Sequence, residues 1–163
     1  MDVFWEELTY GLPDSRQVIH VLIRLISAAL LGALIGYQRE RAGKPAGIKT
    51  HILATLGTTI FIIACANAGF QSDALSRVIQ GIVTGIGFLG AGAILKLDEK
   101  RDIKGLTTAA SIWGAAAIGV AVGLGVLGVA IIGTVITVLV LTILGRFEIG
   151  AFKERAKKSE DIE

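Results

Sequence analysis

Five apolar stretches divide the chain, and short polar or glycine-bearing intervals separate them. Each is close to the roughly 20 residues that a helix needs to cross a bilayer core. The pattern predicts spans at 18–37, 50–68, 78–96, 107–123 and 125–145. The last two adjoin almost without a loop, at a junction punctuated by Gly119, Gly123, Gly125 and Gly128. Nearly 40 apolar residues exceed one crossing, so a tight hairpin is expected there; a single bent segment is the alternative.

The third stretch carries the most information. Residues 80–95 read QGIVTGIGFLGAGAIL, with five glycines and no ionisable group. In water each interior glycine costs about 1 kcal/mol relative to alanine. In lipid the backbone must pair with itself, and glycines let neighbouring helices approach closely. At about 100° per residue, Gly81, Gly85 and Gly92 share one face, and Gly87 and Gly90 lie opposite. A central helix packed on two sides is expected. Gly32-x-x-x-Gly36 and Gly119-x-x-x-Gly123 offer matching grooves. A broken helix lining a cavity is the alternative.

Composition points the same way. The 163 residues are 53% hydrophobic, with a mean hydropathy of +0.69. The class is therefore an all-α polytopic membrane protein with Gly-rich close packing. Three parts are expected: an extracytoplasmic segment at 1–17, a transmembrane domain at 18–145, and a charged cytoplasmic tail at 146–163. Asp2, Glu6, Glu7 and Asp14 leave no positive n-region, so no cleaved signal peptide is expected. The single cysteine, Cys65, excludes an intrachain disulfide.

A net charge of +2 says little, but its distribution says more. Arg39, Arg41, Lys44 and Lys49 follow span one, and Lys96, Lys100, Arg101 and Lys104 follow span three. Arg146, Lys153, Arg155, Lys157 and Lys158 sit in the tail, so 13 of the 16 basic residues fall in alternate intervals between the spans, all on one side of the membrane. The positive-inside rule then puts the N-terminus outside and the C-terminus in the cytoplasm. An offset of 58 residues aligns Leu31-Gly32-Ala33 with Leu89-Gly90-Ala91, Gly47 with Gly105, Thr50 with Thr108, and Glu40 with Asp98. The two copies would share orientation, as in a parallel repeat.

Three blocks have a family likeness. They are LLGALIGYQRERAGKPAGIKTH (30–51), SRVIQGIVTGIGFLGAGAIL (76–95) and IKGLTTAASIWGAAAIGVAVGLG (103–125). In order and spacing they resemble the membrane domain of the MgtC/SapB family of bacterial inner-membrane proteins. The likeness covers roughly residues 20–145. It implies a link to magnesium limitation and, in pathogens, to survival inside host cells. Members were first named as magnesium-transport proteins. The family picture is a regulator, which in some members restrains the membrane ATP synthase. Longer members carry a cytoplasmic ACT-like domain, and a short form without it is expected here. The family often has glutamate where this chain has Gln38, so a carboxylate role does not carry over to it.

Several residues are candidates for function. Arg24 lies about two turns inside span one, with His20 four residues earlier on the same face. A charge at that depth implies a partner across the bundle, with Asp73 the nearest acid, or snorkelling to the headgroups. His20 alone is better explained as an interfacial residue than as a ligand. In the first loop, Lys44-Pro45-Ala46-Gly47 fixes a turn, with Pro presetting φ and Gly permitting positive φ. Arg39, Glu40, Arg41, Lys44 and Lys49 around it form either a docking rim or an anchor on anionic lipid. In the second loop, Gly105 permits a tight approach, and Thr107 or Thr108 can N-cap span four. Trp113, two turns deep, is expected to pack rather than bind.

Magnesium wants oxygen ligands and usually one or two carboxylates. All 14 acidic residues lie outside the apolar spans, which disfavours a carboxylate-lined path; a backbone-carbonyl filter stays open. No nucleophile–base pair, metal cluster or phosphate loop is legible. Gly85-x-Gly87-x-x-Gly90 matches the dinucleotide pattern only formally, with no strand before it. No enzyme, cofactor, metal or nucleic-acid partner is expected. The leading expectation is a membrane regulator that docks to other membrane proteins and to itself, as a homo-oligomer with the dimer favoured. A passive transporter of magnesium or another small solute is the alternative, and a purely structural scaffold is a third reading.

Overall fold

A computed structural model describes residues 3, 4, 7, 14–97 and 102–160. Side chains at 95–103 and 146–160 fall outside the description, as do the remaining residues of the 1–17 segment, the loop charges Lys100 and Arg101, and the end of the tail. From residue 14 onward the described residues form five helices in order: α1 (Ser15–Arg41), α2 (Ile48–Asn67), α3 (Ser72–Gly92), α4 (Leu106–Gly123) and α5 (Leu127–Glu160). All five contain a stretch long and apolar enough to cross a membrane. Helices suit that environment because every mid-helix N–H and C=O is satisfied within its own segment.

The expected hairpin separates α4 from α5. Gly125 turns the chain at φ 82°, in the left-handed region that side-chain-bearing residues avoid. The third span ends earlier than residue 96. After Gly92 the chain leaves the helix, and β1 (Leu95–Leu97) pairs antiparallel with β2 (Asp102–Lys104), Leu95 opposite Lys104. This ribbon is the one non-helical element among the described residues. Helix α5 does not stop at Gly145 but continues to Glu160.

The packing centre is α2, not α3. Helix α2 lies against both α1 and α4, and these are the most extensive helix contacts in the bundle. Both expected small-residue motifs close on it. A Cβ at Gly32 would lie 2.7 Å from the His51 carbonyl oxygen, and one at Gly36 would lie 2.5 Å from Ile48 Cα. A Cβ at Gly119 would lie 2.5 Å from the Thr55 carbonyl oxygen, and one at Gly123 would lie 2.6 Å from Ile62 Cβ.

Helix α3 is peripheral. Its apolar stretch is 11% buried against 50% for that of α4. Only Ile86 and Gly90 are buried on it, with Gly90 in ordinary contact with Ala109. Gly81, Gly85, Gly87 and Gly92 have no described atom within 4 Å of an added Cβ. Helix α3 thus touches both α4 and α2, but among the described residues its glycines do not make the close packing expected on two faces. The reason is physical: in lipid both faces of an apolar helix are acceptable, so glycine content alone does not select the covered face.

The 58-residue offset reappears in these contacts. Gly32 sits over His51, and Gly90 sits over Ala109, each pair shifted by 58. Gly47 and Gly105 both occupy helix N-cap positions. Their backbones differ, since Gly47 is extended (φ −100°) and Gly105 is left-handed (φ 96°).

Candidate functional site

The polar residues gather where the end of α1 meets the starts of α2 and α4. Arg39 is in the last turn of α1 and is 2% exposed. Its Nη2 donates to Thr108 Oγ1 at 2.9 Å. One residue on, Glu40 Oε2 accepts from the Ile48 amide at 3.2 Å. The carboxylate thus caps the first turn of α2, where free amides attract negative charge. Gly47 is the backbone N-cap, and a Cβ there would lie 2.7 Å from Glu40 Oε2.

His51, one turn into α2, is fully buried. Its Nδ1 lies 2.9 Å from the Gly47 carbonyl oxygen, and its Nε2 lies 3.1 Å from Ser111 Oγ. A carbonyl only accepts, so Nδ1 carries a proton. Ser111 Oγ also lies 2.8 Å from the Thr108 carbonyl oxygen, to which it can donate. The hydroxyl has one proton for two acceptors. With a neutral ring, Ser111 donates either to Nε2 or to the Thr108 carbonyl. With a charged ring, Nε2 donates to Ser111 and the hydroxyl serves the carbonyl. His51, Ser111, Thr108 and Arg39 thus form one chain across three helices.

The seam continues along α2. Thr55 Oγ1 contacts the Ala28 carbonyl of α1 at 2.8 Å, and Thr59 Oγ1 donates to the Gly119 carbonyl of α4 at 2.8 Å. Thr58 Oγ1 bonds back to the Ala54 carbonyl at 2.9 Å. Glycines opposite these hydroxyls bring the backbones within reach, the usual device of helix packing in lipid.

A second polar contact lies toward the other end. Arg24 Nη1 donates to the Gly123 carbonyl at 2.9 Å. Its guanidinium also covers Gly125, where a Cβ would lie 2.6 Å from Nη2. The Val120, Ala121 and Val122 carbonyls accept from amides of the following turn, and the C-terminal end of a helix carries partial negative charge, which suits a cation at the Gly123 carbonyl. Arg24 therefore has a partner across the bundle, but it is backbone and not Asp73. Asp73 is exposed at the start of α3, and His20 is exposed on α1.

Other expected residues fall elsewhere. Arg39 cannot serve an exposed docking rim because it is buried, whereas Arg41, Lys44, Pro45 and Lys49 are exposed. The left-handed residue of the first loop is Gly43 (φ 66°), not Gly47. Neither Thr107 nor Thr108 caps α4. Gly105 is its N-cap with no side-chain bond, Thr107 is exposed, and Thr108 takes the Arg39 donor instead. A Cβ at Gly105 would meet the Ala93 carbonyl oxygen, so that close approach does require glycine. Trp113 is 50% exposed on the outside of α4 and is not core packing. Gln38 Oε1 is buried without a hydrogen-bond partner among the described residues.

His51 and Ser111 were absent from the sequence-based candidates. A signal existed: His51, Thr55, Thr58 and Ile62 recur at i, i+4, i+7 and i+11, one helical face, inside an apolar span.

Known proteins share the sequence of this membrane region. The sequence profile described as the MgtC family matches residues 25–149. Protein SrpB of Synechococcus elongatus is 43% identical over 114 residues, covering 63% of this chain and 63% of SrpB. YhiD of Escherichia coli K12, whose name proposes it as a magnesium transporter, is 44% identical over 114 residues, covering 64% of this chain and 51% of YhiD. Protein MgtC of Salmonella typhimurium is 42% identical over 104 residues, covering 64% of this chain and 43% of MgtC. The matched regions thus span between 43% and 63% of these relatives' lengths. No solved structure matches. With five helices able to cross a membrane and a family profile over most of its length, the chain belongs to the MgtC family.

Proposed function

We propose that this chain is a bacterial inner-membrane regulator linked to magnesium limitation, acting by docking against other membrane proteins and a second copy of itself. One observation carries the reading: α3 meets the bundle along one side and, among the described residues, leaves its other side uncovered. Thr84, Gly87 and Ala91 recur there at i, i+3 and i+7, all exposed. Small residues at that spacing suit a close helix–helix approach in lipid. The basic residues support an orientation with the N-terminus outside and the first loop, the ribbon and the tail in the cytoplasm. Exposed Arg41, Lys44 and Lys49 would then face anionic lipid and cytoplasmic partners, the membrane ATP synthase among them.

Copurification from native membrane tests the reading. Specific partners and self-association that weaken in Gly87→Ile are expected; loss of both in the native chain would overturn it. A deletion strain should show altered growth and cellular ATP at low magnesium. Reversing Arg41 and Lys44 to glutamate should alter that growth while the protein still folds; unchanged growth would favour a scaffold.

Magnesium transport is the rival, favoured by the name of YhiD. The α2 hydroxyls support docking over conduction, because they are taken up by backbone carbonyls in a seam closed by packing. Magnesium flux into reconstituted liposomes above an empty control would reverse that preference.

A further inference from the structure

Helices α2 and α3 touch only sparingly, and a groove of about 730 Å³ lies between them. That volume is within the range of small-molecule sites, roughly 300–1,000 Å³. Missing side chains make it. Gly57, Gly81 and Gly85 line it, and an added Cβ at any of the three would have no described neighbour within 4 Å. Among the described residues Lys49 is the one charged lining residue, and it lies at one end of α2's contribution; Phe61 lies at the other. From Lys49 to Phe61 the helix rises about 18 Å. One leaflet of a hydrocarbon core about 30 Å thick is about 15 Å deep. A helix crossing the membrane would need a face running the full core, which this groove does not provide.

An occupant matching these terms is apolar for one leaflet and negative at one end. The first loop adds charge at that end, with Arg41 and Lys44 exposed beside a single carboxylate, Glu40, that is engaged at the α2 amide. We propose that the groove is a specific site for an anionic phospholipid, with one acyl chain along Gly57, Gly81 and Gly85 and the phosphate at Lys49. The anionic leaflet is the cytoplasmic one, which is the side the basic loop takes. The site is separate from the docking side of α3, which uses Thr84, Gly87 and Ala91.

Native mass spectrometry of the full chain released from nanodiscs tests this, using equimolar phosphatidylglycerol and phosphatidylcholine with the same acyl chains. The native chain is expected to retain one phosphatidylglycerol at least tenfold in preference to phosphatidylcholine. Lys49→Gln should bring that ratio close to one while retention of some lipid persists. Gly85→Leu should fill the groove and remove both lipids, with helical content and self-association unchanged; Gly81→Leu gives the same reading should the first variant misfold. Equal retention of the two lipids by the native chain would overturn the proposal. So would undiminished phosphatidylglycerol in both leucine variants, or a loss of self-association in them, which would assign the groove to a protein helix instead. A failure of Gly87→Ile to affect partners would leave this lipid result standing.

Discussion

Arg39 and Thr108 lie 69 residues apart and meet at 2.9 Å in a buried contact that ties the end of α1 to the first turn of α4. A guanidinium is costly to bury unless its donors are taken up. Removing either partner leaves the other desolvated, and a hydrogen bond to a charged group is worth about 1.5–3 kcal/mol.

Thr108→Val should therefore lower unfolding stability in detergent by about 2 kcal/mol. Arg39→Lys should also destabilise, because one ammonium does not reproduce a planar fork of five donors. The double variant should cost less than the sum of the singles. Strict additivity in that cycle would show that the contact carries no coupling.

The same helix offers an internal control for close packing. A Cβ at Gly119 would meet Thr58 Oγ1 and lie 2.5 Å from the Thr55 carbonyl oxygen, whereas at Gly114 no described atom lies within 4 Å. Gly119→Ala should cost about 1–3 kcal/mol or more by overpacking. Gly114→Ala should be neutral within about 1 kcal/mol, with helix propensity in its favour. Thermal unfolding of the two variants side by side reads the difference, and equal losses would remove α2–α4 contact as its cause.

The five helices long and apolar enough to cross a membrane and the α4–α5 hairpin were legible because hydropathy over about 20 residues is dictated by the bilayer. The central helix was not. Glycine motifs on α1 and α4 mark where backbones can approach, but the helix that fills them is α2, which carries Thr55, Thr58 and Thr59 and no such motif. Hydropathy weighed those threonines as weakly polar filler, while the structure uses them to reach carbonyls. Arg39 looked like its exposed neighbours Arg41 and Lys44 because its acceptor, Thr108, is two spans away in sequence. Arg24 invited an acidic partner for a similar reason. A carbonyl at a helix end, such as that of Gly123, has no sequence signature of its own.

His51 gives a spectroscopic prediction. Both of its charge states place a proton on Nδ1, since the Gly47 carbonyl at 2.9 Å can only accept. Nitrogen-15 spectra of histidine-labelled protein in lipid should show a protonated Nδ1 for His51, assigned by its loss in His51→Gln. Ser111→Ala should shift the Nε2 resonance and leave Nδ1 nearly unmoved, because Ser111 contacts Nε2 alone. An unprotonated Nδ1 would mean that the ring does not donate to the Gly47 carbonyl.

Arg24 and Asp73 separate two accounts of the charge in the first span. If Arg24 holds the end of α4 through the Gly123 carbonyl, Arg24→Leu should loosen the turn at 124–126. Limited proteolysis or maleimide labelling of a cysteine placed at Leu124 (in a Cys65→Ser background) should then rise severalfold. Asp73→Asn should leave both readouts unchanged, because Asp73 is exposed and its carboxylate is not the partner of the guanidinium. Arg24→Lys should fall between, since a single ammonium can still donate to the carbonyl but cannot cover Gly125 as a planar guanidinium does. The reverse order, with Asp73→Asn loosening the turn and Arg24→Leu silent, would restore the ion-pair account and place the α1–α4 contact outside the forces that hold the hairpin.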